Sequence, residues 1–364
     1  LVIRDRHWSR NFDTLLLGIT LLLVVIGLVM IYSATAQSGG KRFYLTQMIY
    51  AGLGLGIMII VVIIDYHYSS YFVYGVYAFL LILLVTVLLF GTRVSGAQRW
   101  IRFGSYGFQP SEFMKIGFIL ALSHYLKDRR YRLDRFSDLI VPLLITLMPM
   151  VFIALQPNLG TSLVLLPVGL AMLYIAGVPL RNLAKIFLGI LILSPFIWTM
   201  LEDYQRTRLL VFLDPSRDPL GAGYHITQSK IAIGAGQILG KGFLKGSQSQ
   251  LHFLPEQHTD FIFSVLGEEW GLLGTSMVLF LYLILLYRGI KIARSARDPE
   301  GILLSTGVIV LLTFHVVVNI GMATGIIPTV GVTLPFISYG GSSLLTMMIG
   351  VGILLNIRLR SYLF

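Results

Sequence analysis

Asp260 ends the polar stretch "LPEQHTD" and opens the apolar run "FIFSVLG", with Glu268 and Glu269 following on the same run. A carboxylate at the mouth of a helix does one of two things. It takes a proton from a reacting hydroxyl as a general base, or it accepts hydrogen bonds from the unpaired N–H groups of the first turn as an N-cap. The residues alone leave both readings open. Glu268 and Glu269 sit about 12 Å further along a helix axis, at a rise of about 1.5 Å per residue. Carboxylates that deep are costly in lipid, so they must face the bundle interior, a water-filled cavity or a cation. Lys115, in "QPSEFMKIG", is a cation at comparable depth, with Glu112 one turn earlier on the same helix face. That pair is either a structural buried ion pair, or the polar floor of an outward-opening cavity shared with the glutamates.

The remaining polar outer segments are basic. "GAQRWIRFG" supplies Arg99, Trp100 and Arg102, "DYQRTRLL" supplies Arg206 and Arg208, and Lys230, Lys241 and Lys245 follow. Guanidinium forks suit phosphate oxygens, and an indole packs on the apolar face of a sugar. Trp and Arg also serve as plain anchors at membrane interfaces. Taken with one well-placed carboxylate, these groups suit an anionic amphiphile approached from the membrane, such as a lipid carrying a pyrophosphate and a sugar. His315 and Asn319, four residues apart, face the same way and read as an interhelical hydrogen-bonding pair. There is no cysteine, which excludes disulfides, thiolate catalysis and Cys-ligated metal. No tight metal-ligand cluster is visible.

The elements that position these residues follow from composition. The 364 residues are 56% hydrophobic and only 12% charged, against about 25% charged in ordinary soluble domains. Apolar runs of membrane-spanning length recur along the chain, without the alternation a β-barrel would need. The expected fold is an all-α polytopic membrane protein, a single helical domain over residues 1–364. Ten spans are predicted at 15–35, 45–64, 71–90, 110–126, 139–156, 160–176, 186–201, 261–287, 301–322 and 339–357. The first reads as a retained helix, too long for a signal-peptide core. With both termini cytoplasmic, the inner loops, including "KDRRYRLDR" and "RGIKIARSAR", hold most of the 28 Lys and Arg. Residues 202–260 then form one long extracytoplasmic loop between helices 7 and 8. Within it, "GYHITQSKIAIGAGQILGKG" is expected as a short helix lying in the outer interface. The net charge of +11 is explained by inner loops meeting anionic membrane lipids, and not by nucleic acid. No phosphate-binding loop of an ATP-driven pump is present.

Several separated stretches, "GAQRWI", "QPSEFMKI", "QPNLGTS", "RLLVFLDP", "GYHITQSKIAIGAG", "LPEQHTDFIFSVLGEEWG" and "LPFISYGGSS", resemble the SEDS family (shape, elongation, division and sporulation). The likeness runs from about residue 91 to the C-terminus and is strongest to its rod-shape members. It implies a peptidoglycan glycosyltransferase of the bacterial cytoplasmic membrane that polymerises lipid II into glycan strands at the outer face during elongation. The implied partner is a class B penicillin-binding protein. The family's essential aspartate maps onto Asp260. The leaving group would be undecaprenyl pyrophosphate, already a good anion, so no second acid is required. Arg99, Arg206, Arg208, Lys115, Glu112, Trp100 and His258 are the expected substrate-binding set, with Glu268, Glu269 and Asn158 in structural polar roles. Asn158 stands where the family usually has aspartate, which removes any base function there. No resident cofactor is expected; a divalent cation, Mg or Mn, is an optional Lewis acid with carboxylates such as Glu112 as ligands. Two other classes fit the bundle: a lipid II flippase, and a scaffold that only positions the penicillin-binding protein.

Overall fold

The computed structural model describes residues 12–361 apart from 38–40, 95–96, 104–105, 130–132, 215–216, 219–220, 252 and 255. Long apolar stretches become helices, because in lipid every backbone N–H and C=O must be satisfied within the segment. The first half contains α1 (Thr14–Thr35), α2 (Lys41–Ile63), α3 (Val73–Phe90), α4 (Pro110–Lys127), α5 (Ile140–Leu155), α6 (Leu159–Ile175) and α7 (Leu180–Met200). The long outer segment carries α8 (Asp203–Leu213), α9 (Ala222–Ala235) and α10 (Ser247–Gln250). The chain finishes with α11 (Ile262–Ser295), α12 (Pro299–Thr324) and α13 (Gly341–Arg360). Each of the ten expected spans coincides with one of these helices. Seven are long and apolar enough to cross a membrane by length and composition, and α6 is a shorter apolar helix. The fold is an all-α polytopic membrane protein.

Ion pairs fix which ends lie together. Asp13 caps α1 by accepting from Leu16 N at 3.0 Å, and it also pairs with Arg288 of α11 at 2.7 Å. Arg360, at the end of α13, meets Asp65 at 3.0 Å, and the Tyr66 hydroxyl donates to Asp298, the cap of α12, at 2.5 Å. The start of α1 and the end of α13 therefore share one face of the bundle, the one bearing the basic inner loops. Asp260 is on the other.

Burial is greatest in the last two helices and α4. The side chains of Met114, Phe118, Leu122, Leu304, Val308, Leu354 and Leu355 are all essentially inaccessible. At the periphery, α7 turns Phe187, Leu191, Ile192 and Phe196 outward, as a lipid-facing helix does.

Two departures from the expected architecture bear on the site. Three short strands, β1 (Thr92–Val94), β2 (Ala97–Phe103) and β3 (Tyr106–Phe108), form a small antiparallel sheet in the order β1-β2-β3. Helical periodicity gave no hint of it. The second departure is in α11, expected as one uninterrupted span. It breaks at Gly271, whose φ of 64° lies in the left-handed region. The segment after α9 fills the break: Lys241 N donates to Glu268 O at 3.0 Å, Gly242 N to Glu269 O at 3.0 Å, and Leu272 N to Gln237 O at 2.8 Å. A side chain at Gly271 would bring its Cβ to 2.3 Å from Gly240 N.

Candidate active site

Asp260 sits where α8, α9, the turn before α11 and the loop after α12 converge. The turn is built on Glu256, held at a φ of 46°, whose carbonyl accepts from the N–H groups of Thr259 at 3.2 Å and Asp260 at 3.1 Å. A non-glycine residue in that conformation is held there by its surroundings, and such strain clusters at functional sites. The N-cap of α11 is Phe261 and has no side-chain cap. Asp260 therefore does not cap the helix. Its carboxylate instead borders a cavity of about 350 Å³ lined also by Tyr204, Arg208, His225, Glu256 and Thr329.

The surrounding charges set the chemistry of that carboxylate. The residue is half-buried at the cavity edge, and desolvation pushes its pKa up to about 6; the neighbouring Glu256 acts in the same direction, while Arg208 and Arg99 oppose it. Arg208 is oriented by donating to Thr329 O at 3.3 Å and lies over the Tyr204 ring at 5.7 Å. Arg99 reaches in from β2 and donates to Pro157 O, an oxygen that also accepts from the Tyr204 hydroxyl at 2.6 Å. Burial, and then Arg208, lower the pKa of His225, favouring a neutral imidazole at the cavity wall.

The other expected site residues fall in different places. Trp100, on β2, lies across Gly107 of β3, where an added Cβ would come within 2.9 Å of the indole, so its position secures the sheet. The Arg102 side chain lies outside the described residues. Arg206 donates to Trp198 O at 3.1 Å and Thr199 O at 2.7 Å, closing the end of α7. His258 packs against the rings of Phe43 and Tyr339, at 5.0 and 5.5 Å, which also contact each other at 5.3 Å. Asn158 precedes α6, is 2% exposed and reaches Ser111 Oγ at 3.5 Å.

The expected meeting of Lys115 with the deep glutamates does not occur. Lys115 Nζ lies 2.7 Å from Glu112 and 3.1 Å from His315 Nε2, inside the bundle between α4 and α12. Glu268 pairs instead with Lys241 at 2.8 Å and accepts from Gln248 N at 2.9 Å and Ser249 N at 3.1 Å. Glu269 accepts from Ser33 of α1. The break at Gly271 folds the outer segment back over both glutamates, supplying partners that the sequence places far away. His315 and Asn319 do share a face, and both bond out of α12: His315 to Lys115 Nζ of α4 and to Thr333 O, and Asn319 to the carbonyls of Asp260 and Val332.

The region expected as an interfacial helix is α9, and it docks on the bundle: Ser229 Oγ donates to Ala323 O at 2.6 Å and lies 2.6 Å from Ser264 Oγ.

The profile of the FtsW, RodA and SpoVE cell cycle proteins matches residues 13–362. The chain belongs to this family. The peptidoglycan glycosyltransferase MrdB of Escherichia coli (strain K12) is 41% identical over 357 residues, covering 98% of this chain and 96% of that protein. A chain of a peptidoglycan synthase complex, solved for the coordination of polymerization and crosslinking, matches with a TM-score of 0.83 at 34% identity over 96% of this chain and 98% of its own. The crystal structure of the Thermus thermophilus rod shape determining protein RodA matches with a TM-score of 0.73 at 30% identity, again over 96% and 98%. Membership of the FtsW/RodA/SpoVE family makes this a multi-pass protein of the bacterial cytoplasmic membrane.

Beside the expected residues, the family fold brings Tyr204, His225, Glu256 and Thr329 to the same cavity. Glu256 was visible in the sequence as a carboxylate four residues before Asp260. Thr329 and Gly331 carried no signal, since their contribution is backbone geometry.

Proposed function

We propose that this chain is a peptidoglycan glycosyltransferase that polymerises lipid II at the outer face of the membrane, with Asp260 as general base. The single observation that supports this assignment of the base is the uncapped Asp260 carboxylate, facing a cavity shared with Arg208. The 4-hydroxyl of the acceptor's N-acetylglucosamine attacks C1 of the donor's N-acetylmuramic acid. The new C–O bond forms as the bond from C1 to the pyrophosphate oxygen breaks. Asp260 takes the hydroxyl proton, and undecaprenyl pyrophosphate leaves with the bonding electrons. A single displacement inverts C1 from α to β. Arg208 and Arg99 are placed to neutralise the departing pyrophosphate, which needs no proton.

Among the described residues no group of three or more His, Asp or Glu is disposed to hold a metal ion. Glu112 is paired with Lys115 inside the bundle. A magnesium-like ion is usually held by one or two carboxylates together with substrate phosphates. Glu256 and Asp218, both at the cavity, fit that donor set. Such an ion would supply further charge neutralisation on the pyrophosphate.

The match to a synthase complex that couples polymerization to crosslinking supports a class B penicillin-binding protein as partner. A flippase would need a broken helix lining a path through the midplane. The break in α11 is filled by protein backbone instead.

The test is polymerisation of labelled lipid II by the purified protein with its penicillin-binding partner. Wild type should yield glycan strands and a normally folded Asp260→Asn protein none. Equal polymer from both would remove Asp260 from the mechanism.

A further inference from the structure

Asn319 is fully buried in α12, one turn beyond His315, and its side-chain amide is used in an unusual way. The Nδ2 group donates to the backbone carbonyl of Asp260 at 3.0 Å and to that of Val332 at 2.7 Å. One nitrogen thus joins two segments remote in sequence. The first ends in the carboxylate assigned as the base. The second, residues 329–333, runs beside it: Thr329 lines the cavity and its O accepts from Arg208, and Gly331 lies so close that a Cβ there would be 3.5 Å from Asp260 Oδ2. Thr333 O is held by His315 Nδ1 at 3.0 Å.

The neighbouring carbonyls of the Asp260 turn are held in the same manner. His258 O accepts from Tyr339 N at 2.8 Å, and Thr259 O from Ser338 Oγ at 2.6 Å. Three successive carbonyls are therefore fixed: Ser338, which holds that of Thr259, also accepts from Leu334 N at 2.8 Å, and Asn319 ties the third, that of Asp260 itself, to Val332 O. Asn319 Oδ1 is buried with no hydrogen-bond partner among the described residues. An amide whose oxygen is left unpaired is retained for its two N–H donors, since a side chain kept for packing alone would avoid the desolvated oxygen.

We propose that Asn319 is a positioning residue for glycosyl transfer, holding Asp260 at a fixed distance from the Thr329–Thr333 wall and from Arg208. The proposal rests on the reading of Asp260 as general base. A proton acceptor works only within hydrogen-bond reach of the attacking hydroxyl, and a displacement of about 1 Å lowers turnover by about 100-fold. Loosening the clamp releases the turn, lets water reach the carboxylate and weakens the burial that raises its pKa.

The experiment compares wild type, Asn319→Ala, Asn319→Asp, Asp260→Asn and Asn356→Ala in lipid II polymerisation with the penicillin-binding partner, recording kcat, KM, the pH profile and thermal stability. Asn356 is the matched control, a buried amide whose Nδ2 likewise bridges two backbone carbonyls, Val61 and Ile64, at the inner face. Asn319→Ala should lose about 10- to 100-fold in kcat with KM little changed, and its acid limb should move to lower pH. Asn356→Ala should lose thermal stability while keeping its pH profile. Should Asn319→Ala fail to fold, Asn319→Asp keeps the volume and, when ionised, offers neither carbonyl a donor.

Wild-type kcat in the Asn319 variants overturns the proposal, as does a loss with an unmoved acid limb or one matched by Asn356→Ala. If Asp260→Asn is itself active, the underlying reading of the base fails, and that result is separable from all the others.

Discussion

Gly331 lies directly beside the Asp260 carboxylate, at a φ of 71°, where an added Cβ would be in van der Waals contact with Oδ2 at 3.5 Å. The base and the loop beside it are thus fitted to each other through a residue that has no side chain. Left-handed backbone costs an alanine about 1–2 kcal/mol, and the added methyl would rest against the carboxylate and displace water from that side of it. Gly331→Ala should therefore keep the fold with modestly reduced thermal stability and lose polymerisation by more than the stability change accounts for. An alanine protein with wild-type turnover would show that the wall does not shape the base.

The pH dependence of polymerisation should report Asp260. A general base works deprotonated, so with a pKa of about 6 the rate should fall as pH drops through that value and level off above it. Glu256 contributes to the elevation. Glu256→Gln removes the like charge, lowers the pKa of Asp260 and should move the acid limb to lower pH. A shift in the opposite direction would contradict the arrangement of charges described for the cavity.

Lys115 and Glu112 should behave as a structural pair. Removing one member of a buried ion pair strands the other charge and costs about 3–5 kcal/mol, whereas replacing both by apolar residues is often neutral. Lys115→Met should lower the melting temperature sharply, and Glu112→Leu with Lys115→Met should restore most of it along with polymerisation. If the double variant regains stability but stays inactive, Lys115 has a role in the reaction.

Lys241→Ala should loosen the outer segment over the break in α11. Glu268, 0% exposed, would keep its backbone donors from Gln248 and Ser249 but lose its cation. A lost hydrogen bond to a charged group is worth about 1.5–3 kcal/mol, discounted here because Lys241 is partly exposed. The expected outcome is a lower melting temperature with faster proteolysis between 236 and 253. An unchanged protease pattern would mean the backbone bonds at Gly271 suffice.

Much of this protein was legible in its residues. Hydrophobic runs separated by basic loops determine ten helical segments and their orientation, because apolar length and positive charge act locally and do not depend on which helices meet. Asp260 was legible for a similar reason, as a carboxylate at the edge of an apolar run where lipid makes charge expensive. The sequence left its task open between cap and base. The turn built on Glu256 makes Phe261 the cap position and leaves the Asp260 carboxylate at the cavity, and this is what supports the base. Pairings across long separations were not legible either: Lys115 with His315, Glu268 with Lys241, Asn319 with the carbonyls of Asp260 and Val332. A buried charge or amide announces that it needs a partner. Which partner it finds depends on how the chain folds back, and here a single left-handed glycine at position 271 brings the outer segment over the glutamates, while Lys115 keeps Glu112 of its own helix and His315 of α12.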